Sequence, residues 1–286
     1  IFAAIEKWMR ELLTGMVESN MSTMFTDVNE KTSEIAAQVG RTPQNWNSSV
    51  FSMIQNLSES VVVPIAGIII TLVLCYELIS MLTERNNLHD VDTWMFFKYF
   101  VKAWVAIYLV SNTFTITMAV FDVGQSVVNS ASGIINGETA IDVSSLSMQM
   151  QAAMATMEIG ELVVLALETF LVSFCMKIMS VVITVIVYGR MIEIYLYTSL
   201  APIPFATMSN REWGHVGTNY FRGLFALAFQ AFLMMVCVAI YAALISSVRI
   251  SSNMHSALIG VAAYTVILCF SLMKTGSLSK QIFGSH

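Results

Sequence analysis

The chain has 286 residues, 56% of them apolar and 12% charged, and a mean hydropathy of +0.71. Soluble domains carry about twice that charge, which excludes an ordinary soluble fold. A net charge of −5, with 14 scattered Lys and Arg, excludes a basic nucleic-acid groove that would neutralise many phosphates.

In chain order, residues 1–17 come first. Ile1, Ile5, Trp8, Met9, Leu12, Leu13 and Met16 fall on one helical face, and Glu6, Lys7, Arg10 and Glu11 fall opposite. That pattern predicts an amphipathic helix, too charged to span, lying on the membrane or against a neighbour. It is not the pattern of a signal peptide. The periodicity continues more weakly through Met21, Met24, Phe25 and Val28, and "GRTPQNWNSS" (Gly40–Ser49) reads as a polar turn. Residues 1–60 are therefore expected to form an extracytoplasmic amphipathic region.

The transmembrane domain is expected over 61–286, because several apolar runs approach the ~20 residues that cross a bilayer. Strand-like alternation is missing, which argues against a barrel. Spans are predicted at about 61–82, 103–121, 162–187, 223–244 and 257–273. Pro64 lies in the opening turn of the first, where proline is tolerated. Trp94, Lys98, Tyr99, Lys102 and Trp104 form an interfacial collar ahead of the second. Residues 122–160 read as an extracytoplasmic loop, with a short surface helix at Ser144–Met157. The fold class is thus an all-α polytopic membrane protein with about five transmembrane helices, an N-terminal amphipathic helix and one broken segment.

The broken segment is 191–208. Pro202 and Pro204 interrupt an apolar stretch, and an interior proline costs about 3 kcal/mol in a helix. Irregular backbone survives at membrane depth only under protein or beside water. Arg190 and Arg211 flank the stretch, so both ends belong on one face. Two readings fit: a re-entrant hairpin, or a helix that ends at Ala201 and turns along the membrane surface. Basic residues set the orientation. No Lys or Arg occurs between Lys102 and Lys177, whereas Arg85, Lys98, Arg211, Arg222, Lys274 and Lys280 flank the other side. The N-terminus is expected outside and the C-terminus in the cytoplasm.

Polar residues inside apolar runs are the candidate sites. Glu168 and Lys177 are nine residues apart, half a turn out of phase, so they cannot pair with each other. A mid-bilayer charge costs about 3 kcal/mol, so each needs a partner elsewhere, or water. They are either pore-lining and inter-subunit residues or structural pairs within the bundle. Glu77 is within reach of Arg85, Lys98 or Lys102, Arg190 and Glu193 have the spacing of a local pair, and Gln230 suits an interhelical hydrogen bond. Cys75, Cys175, Cys237 and Cys269 sit in apolar runs as small apolar side chains. His89 and His215 fall in predicted loops. No catalytic constellation, phosphate-binding loop or metal-ligand spacing is present, so neither enzymatic activity nor a cofactor is expected.

The stretches "IEKWMRELLTGMVESN", "HDVDTWMFFKYFVKAWVAIYLVSNTF", "YGRMIEIYLYTSLAPIPFATMSNREWG" and "AYTVILCFSLMKTGSLSK" together resemble the TrbL-like polytopic membrane component of conjugative type IV secretion systems, in the form carried by integrative conjugative elements of Gram-positive bacteria. The block "GRMIEIYLYTSLAPIPFA" is the most specific of them. The resemblance implies a homo-oligomeric inner-membrane platform or channel subunit in the cell membrane, in contact with lipid. It also implies partners: secretion ATPases, a coupling protein, extracytoplasmic secretion subunits, and transferred DNA as a passing substrate. Two other classes fit the residues alone: a stand-alone ion channel or small-solute transporter, and a non-transporting scaffold or assembly factor.

Overall fold

The computed structural model describes residues 2–83, 93–135, 143–247 and 254–285. Ile1, the loop residues Arg85 and His89, and residues 136–142 of the loop read at 122–160 lie outside the described residues. The described chain is helical: α1 (Phe2–Val39), α2 (Pro43–Trp46), α3 (Ser48–Leu57), a π-helical turn (Ser58–Val62), α4 (Val63–Thr83), α5 (Thr93–Ser111), α6 (Thr113–Ile135), α7 (Val143–Met154), α8 (Ile159–Ser199), α9 (Pro202–Thr207), α10 (Gly214–Ser246) and α11 (Met254–Ile282). Five stretches are long and apolar enough to cross a membrane: Ser48–Thr83, Thr93–Ser111, Ile159–Ser199, Gly214–Ser246 and Met254–Ile282.

Several boundaries differ from the sequence reading, each for a local reason. The first long helix starts at Ser48, where the Asn47 side chain caps it by accepting from Val50 N at 3.0 Å. Pro64 is therefore mid-helix, not in an opening turn. The π turn just before it, closed by Val63 N to Ser58 O, is the kind of irregularity that takes a proline into a continuing helix. The second apolar stretch is not one helix over 103–121. It is cut at Asn112, whose Nδ2 donates to Tyr108 O at 2.9 Å while Thr113 Oγ1 donates to Leu109 O at 2.8 Å. Such side-chain bonds to the preceding turn compete with helix propagation. The supposed loop from 122 is helical as far as Ile135, because Phe121, Gly124 and Val128 recur on one buried face despite their polar neighbours.

The chain forms two compact units. One comprises Arg41–Val127, Gly189–Ala231 and Gly276–His286. In it Ala66, Ile70 and Leu74 of α4 meet Ala106 and Val110 of α5 and Phe205 and Ala206 of α9. A second cluster joins Val120 and Phe121 of α6, Met191 and Ile194 of α8, and Leu224, Leu227 and Ala228 of α10. Helices α6 and α10 come close enough at Gly124 that a Cβ there would lie 2.9 Å from Ala228 O. Tyr195 joins Ile54 and Phe114 in a third cluster, and its hydroxyl donates to Pro43 O at 2.6 Å.

The other unit comprises Ile1–Gly40, Val128–Tyr188 and Phe232–Thr275. Here α1 packs against α7, and its buried residues begin only at Val17. The apolar stripe read at 1–17 is exposed in this unit at Ile5, Trp8, Leu12 and Met16. Tyr241 of α10 and Thr265 of α11 share a buried hydroxyl–hydroxyl bond of 2.8 Å.

Candidate functional site: the proline break and its charged cavity

In the first of these units, α8 ends at Ser199 and α9 starts at Pro202. The first turn of any helix has amide hydrogens without intrahelical partners, so a proline there loses no bond. Pro202 and Pro204 both fall in that turn of α9. The remaining amides stay paired, with Ile203 N on Leu200 O and Phe205 N on Ala201 O, each at 3.2 Å. Pro202, Phe205 and Ala206 are buried, and α9 packs on α4 and α5. The broken backbone is thus covered by protein.

Two tyrosines clasp the break. Tyr197 Oη donates to Tyr220 O at 3.1 Å, Tyr220 Oη donates to Tyr197 O at 2.6 Å, and their rings stack at 4.4 Å. At the start of α10, a Cβ on Gly217 would lie 2.4 Å from Pro204 O, so only glycine permits the approach.

The turn after α9 closes over a cavity of about 510 Å³ lined by Tyr76, Glu77, Ser80, Met81, Met95, Lys102, Asn210, Arg211 and Glu212. Asn210 Oδ1 accepts from Glu212 N at 2.7 Å and Trp213 N at 3.0 Å, an Asx turn that starts α10. Asn210 Nδ2 reaches Glu77 Oε2 at 3.5 Å, and Tyr76 Oη donates to Glu212 Oε1 at 3.0 Å. Tyr76 also stacks on Trp213 at 5.5 Å. Of the three cations within reach of Glu77 in sequence, the structure pairs it with Lys102. The cavity therefore gathers two acids and two bases in a mostly apolar chain. Among the described residues no group of three His, Cys, Asp or Glu is placed to hold a metal ion.

Arg190 and Glu193 do not form the local pair expected from their spacing. Arg190 points into the packing, 7% exposed, and Nη2 donates to Leu227 O at 3.4 Å while Nε has no partner. Glu193 lies on the outer side and takes Lys280 at 3.0 Å. Burial of one and exposure of the other separates their directions. Gln230 is buried on α10, its Nε2 3.2 Å from the place a Gly276 Cβ would occupy.

The remaining candidates belong to the other unit. Glu168 pairs with His255 of α11, and both are about one-third exposed. Lys177 is exposed and takes part in none of the ion pairs among the described residues. Sequence reasoning missed His255, the tyrosine clasp, and Gly124 and Gly217. The clasp and the histidine partner depend on contacts 23 and 87 residues apart, which no short spacing along the chain reveals.

Mostly helical, with five helices of membrane-crossing length and no strand among the described residues, the chain is an all-α polytopic membrane protein. A family model described as "TrbL/VirB6 plasmid conjugal transfer like protein" matches residues 28–202, from within α1 to the first proline of α9. The chain belongs to that family. No curated protein and no solved structure matches it.

Proposed function

We propose that the chain is a platform or channel subunit of a conjugative type IV secretion system in the cell membrane, supporting transfer of DNA and protein. The observation that carries this reading is the family match over 28–202, which ends in the proline break described above. Five apolar helices suit a membrane platform. The basic residues Lys98, Lys102, Arg211, Arg222 and Lys280 favour a cytoplasmic side carrying the cavity and the C-terminus, with the N-terminus outside. On that side the recess at Glu77, Lys102, Arg211 and Glu212 offers both charge signs to a cytoplasmic partner, and secretion ATPases and a coupling protein are the partners we assign. The chain works as a homo-oligomer in lipid, with extracytoplasmic secretion subunits on its other face, and catalyses no reaction itself.

The test is purification of the tagged chain from native membranes, followed by mass spectrometry. Recovery of secretion ATPases supports the reading. An isolated oligomer that passes ions in liposomes without any ATPase supports a stand-alone channel instead.

A further inference from the structure

The charged cavity lies where two apolar helices approach their ends. Tyr76 and Glu77 come from the last turns of α4, Lys102 from α5, and Arg211 and Glu212 from the turn before α10. Helix α4 closes one membrane-crossing stretch, Ser48–Thr83, and α5 opens the next, Thr93–Ser111. This end of the pair therefore stands at the boundary between lipid and water. Tyr76 and Trp213, half-exposed and stacked on each other, form the aromatic lip that such a boundary favours. The volume of about 510 Å³ falls within the range of about 300–1,000 Å³ that small-ligand sites occupy.

The four charged groups of the cavity are not equivalent. Glu77 and Lys102 neutralise each other as a pair. Arg211 is in none of the ion pairs among the described residues, and neither is Glu212, whose carboxylate accepts from the neutral Tyr76 Oη at 3.0 Å. One cation and one anion, on adjacent residues of a single turn, are thus left to a ligand. A purely anionic ligand would set its charge against Glu212 as well as Arg211, and a purely cationic one would do the reverse. The complementary ligand holds both signs a few bonds apart. Basic pockets at this depth suit anionic headgroups, and this one is not basic.

The flank of the cavity identifies the rest of the ligand. Tyr76 heads a stripe of exposed apolar residues, Leu72, Ile68, Ile65 and Val61, spaced three and four apart along one face of the same stretch. On a spanning helix such a stripe faces acyl chains. A molecule with a zwitterionic head in the cavity and hydrocarbon along the stripe is a phospholipid.

We propose that the cavity binds the headgroup of a phospholipid carrying a primary amine, its phosphate on Arg211 and its ammonium on Glu212. A guanidinium fork matches two phosphate oxygens, and an ammonium gives charge-assisted hydrogen bonds to a carboxylate. A trimethylated ammonium has no N–H for Glu212, and an anionic headgroup without an amine leaves that carboxylate beside added negative charge. The site concerns the interior of the recess and does not rest on a role in conjugation. A cytoplasmic partner at its rim would meet the recess already filled.

The test uses the full-length protein, stripped of lipid in detergent, with bound lipid counted by native mass spectrometry. It is titrated with phosphatidylethanolamine, phosphatidylcholine and phosphatidylglycerol of the same acyl chains, and with water-soluble glycerophosphoethanolamine. Phosphatidylethanolamine should bind about tenfold more tightly than the other two lipids, and glycerophosphoethanolamine more weakly than all three, since it has nothing to lay along the stripe. Arg211→Gln should weaken all three lipids. Glu212→Gln, which keeps an acceptor for Tyr76, should weaken phosphatidylethanolamine about tenfold while holding or raising the affinity for phosphatidylglycerol. That opposite response is one a general loss of structure does not give. Arg222→Gln removes an exposed cation outside the lining and should change none of the affinities. Equal affinity for the three lipids, indifference to the changes at 211 and 212, or glycerophosphoethanolamine binding as tightly as the lipid overturns the proposal.

Discussion

Gly217→Ala probes the packing of the proline break directly. The added methyl would lie 2.4 Å from Pro204 O and 2.1 Å from Met208 Cγ. Met208 can swing aside, but Pro204 O is backbone and already accepts Thr207 Oγ1 at 2.7 Å, so α9 or the first turn of α10 has to move by about 1 Å to reach ordinary contact. Overpacking of this kind costs about 1–3 kcal/mol. Alanine in place of glycine within a helix returns up to about 1 kcal/mol. The expected net loss is on the order of 1–2 kcal/mol, read as a lower midpoint when the detergent-solubilised protein is heated and its monodisperse fraction is followed. Gly67→Ala and Gly260→Ala serve as controls, since a Cβ at either meets nothing within 4 Å, and both should match or exceed the parent. If Gly217→Ala proves as heat-resistant as Gly67→Ala, the close seating of α10 on Pro204 is wrong.

Other perturbations have definite outcomes. Tyr197→Phe and Tyr220→Phe should each cost about 1 kcal/mol in the same thermal assay, and a double-mutant cycle should show coupling, because the two hydroxyls close one clasp; independent effects would argue against it. Lys102→Met should destabilise more than the double variant Lys102→Met with Glu77→Gln, since the single change strands a mostly buried carboxylate. Equal losses would mean the pair does not exist in the membrane. Arg190→Met should leave stability unchanged or raise it by about 1 kcal/mol, because the guanidinium is buried with one long bond and an unpartnered Nε. A loss above about 2 kcal/mol would imply a partner for Arg190 that the packing does not reveal.

Long apolar runs made the bundle legible, and the pair Pro202 and Pro204 marked the break between α8 and α9 before any coordinates. The partner of Glu77 was narrowed to three cations by its place near the end of the first apolar run, beside the basic residues that follow. What stayed hidden shares one cause: polar residues satisfied by distant or local contacts leave no periodic trace. The helical course of α6 past Asp122 was masked by glycine, serine and asparagine around a buried stripe at Phe121, Gly124 and Val128. The start at Ser48 was masked because Pro64 looks like a helix opening, and only the π turn at Ser58–Val62 shows how the helix passes through it. The course of α1 along α8 was invisible because the contacts that set it join residues about 150 apart. The partner of Glu168, His255, begins a different helix and could not be singled out from spacing.

A role in conjugation is tested most directly by deleting the chain's gene from a donor cell and scoring DNA transfer to recipients. Transfer should fall to background and return when the intact chain is supplied from elsewhere, while donor growth and membrane potential stay unchanged. Undiminished transfer from the deleted donor would contradict the assignment.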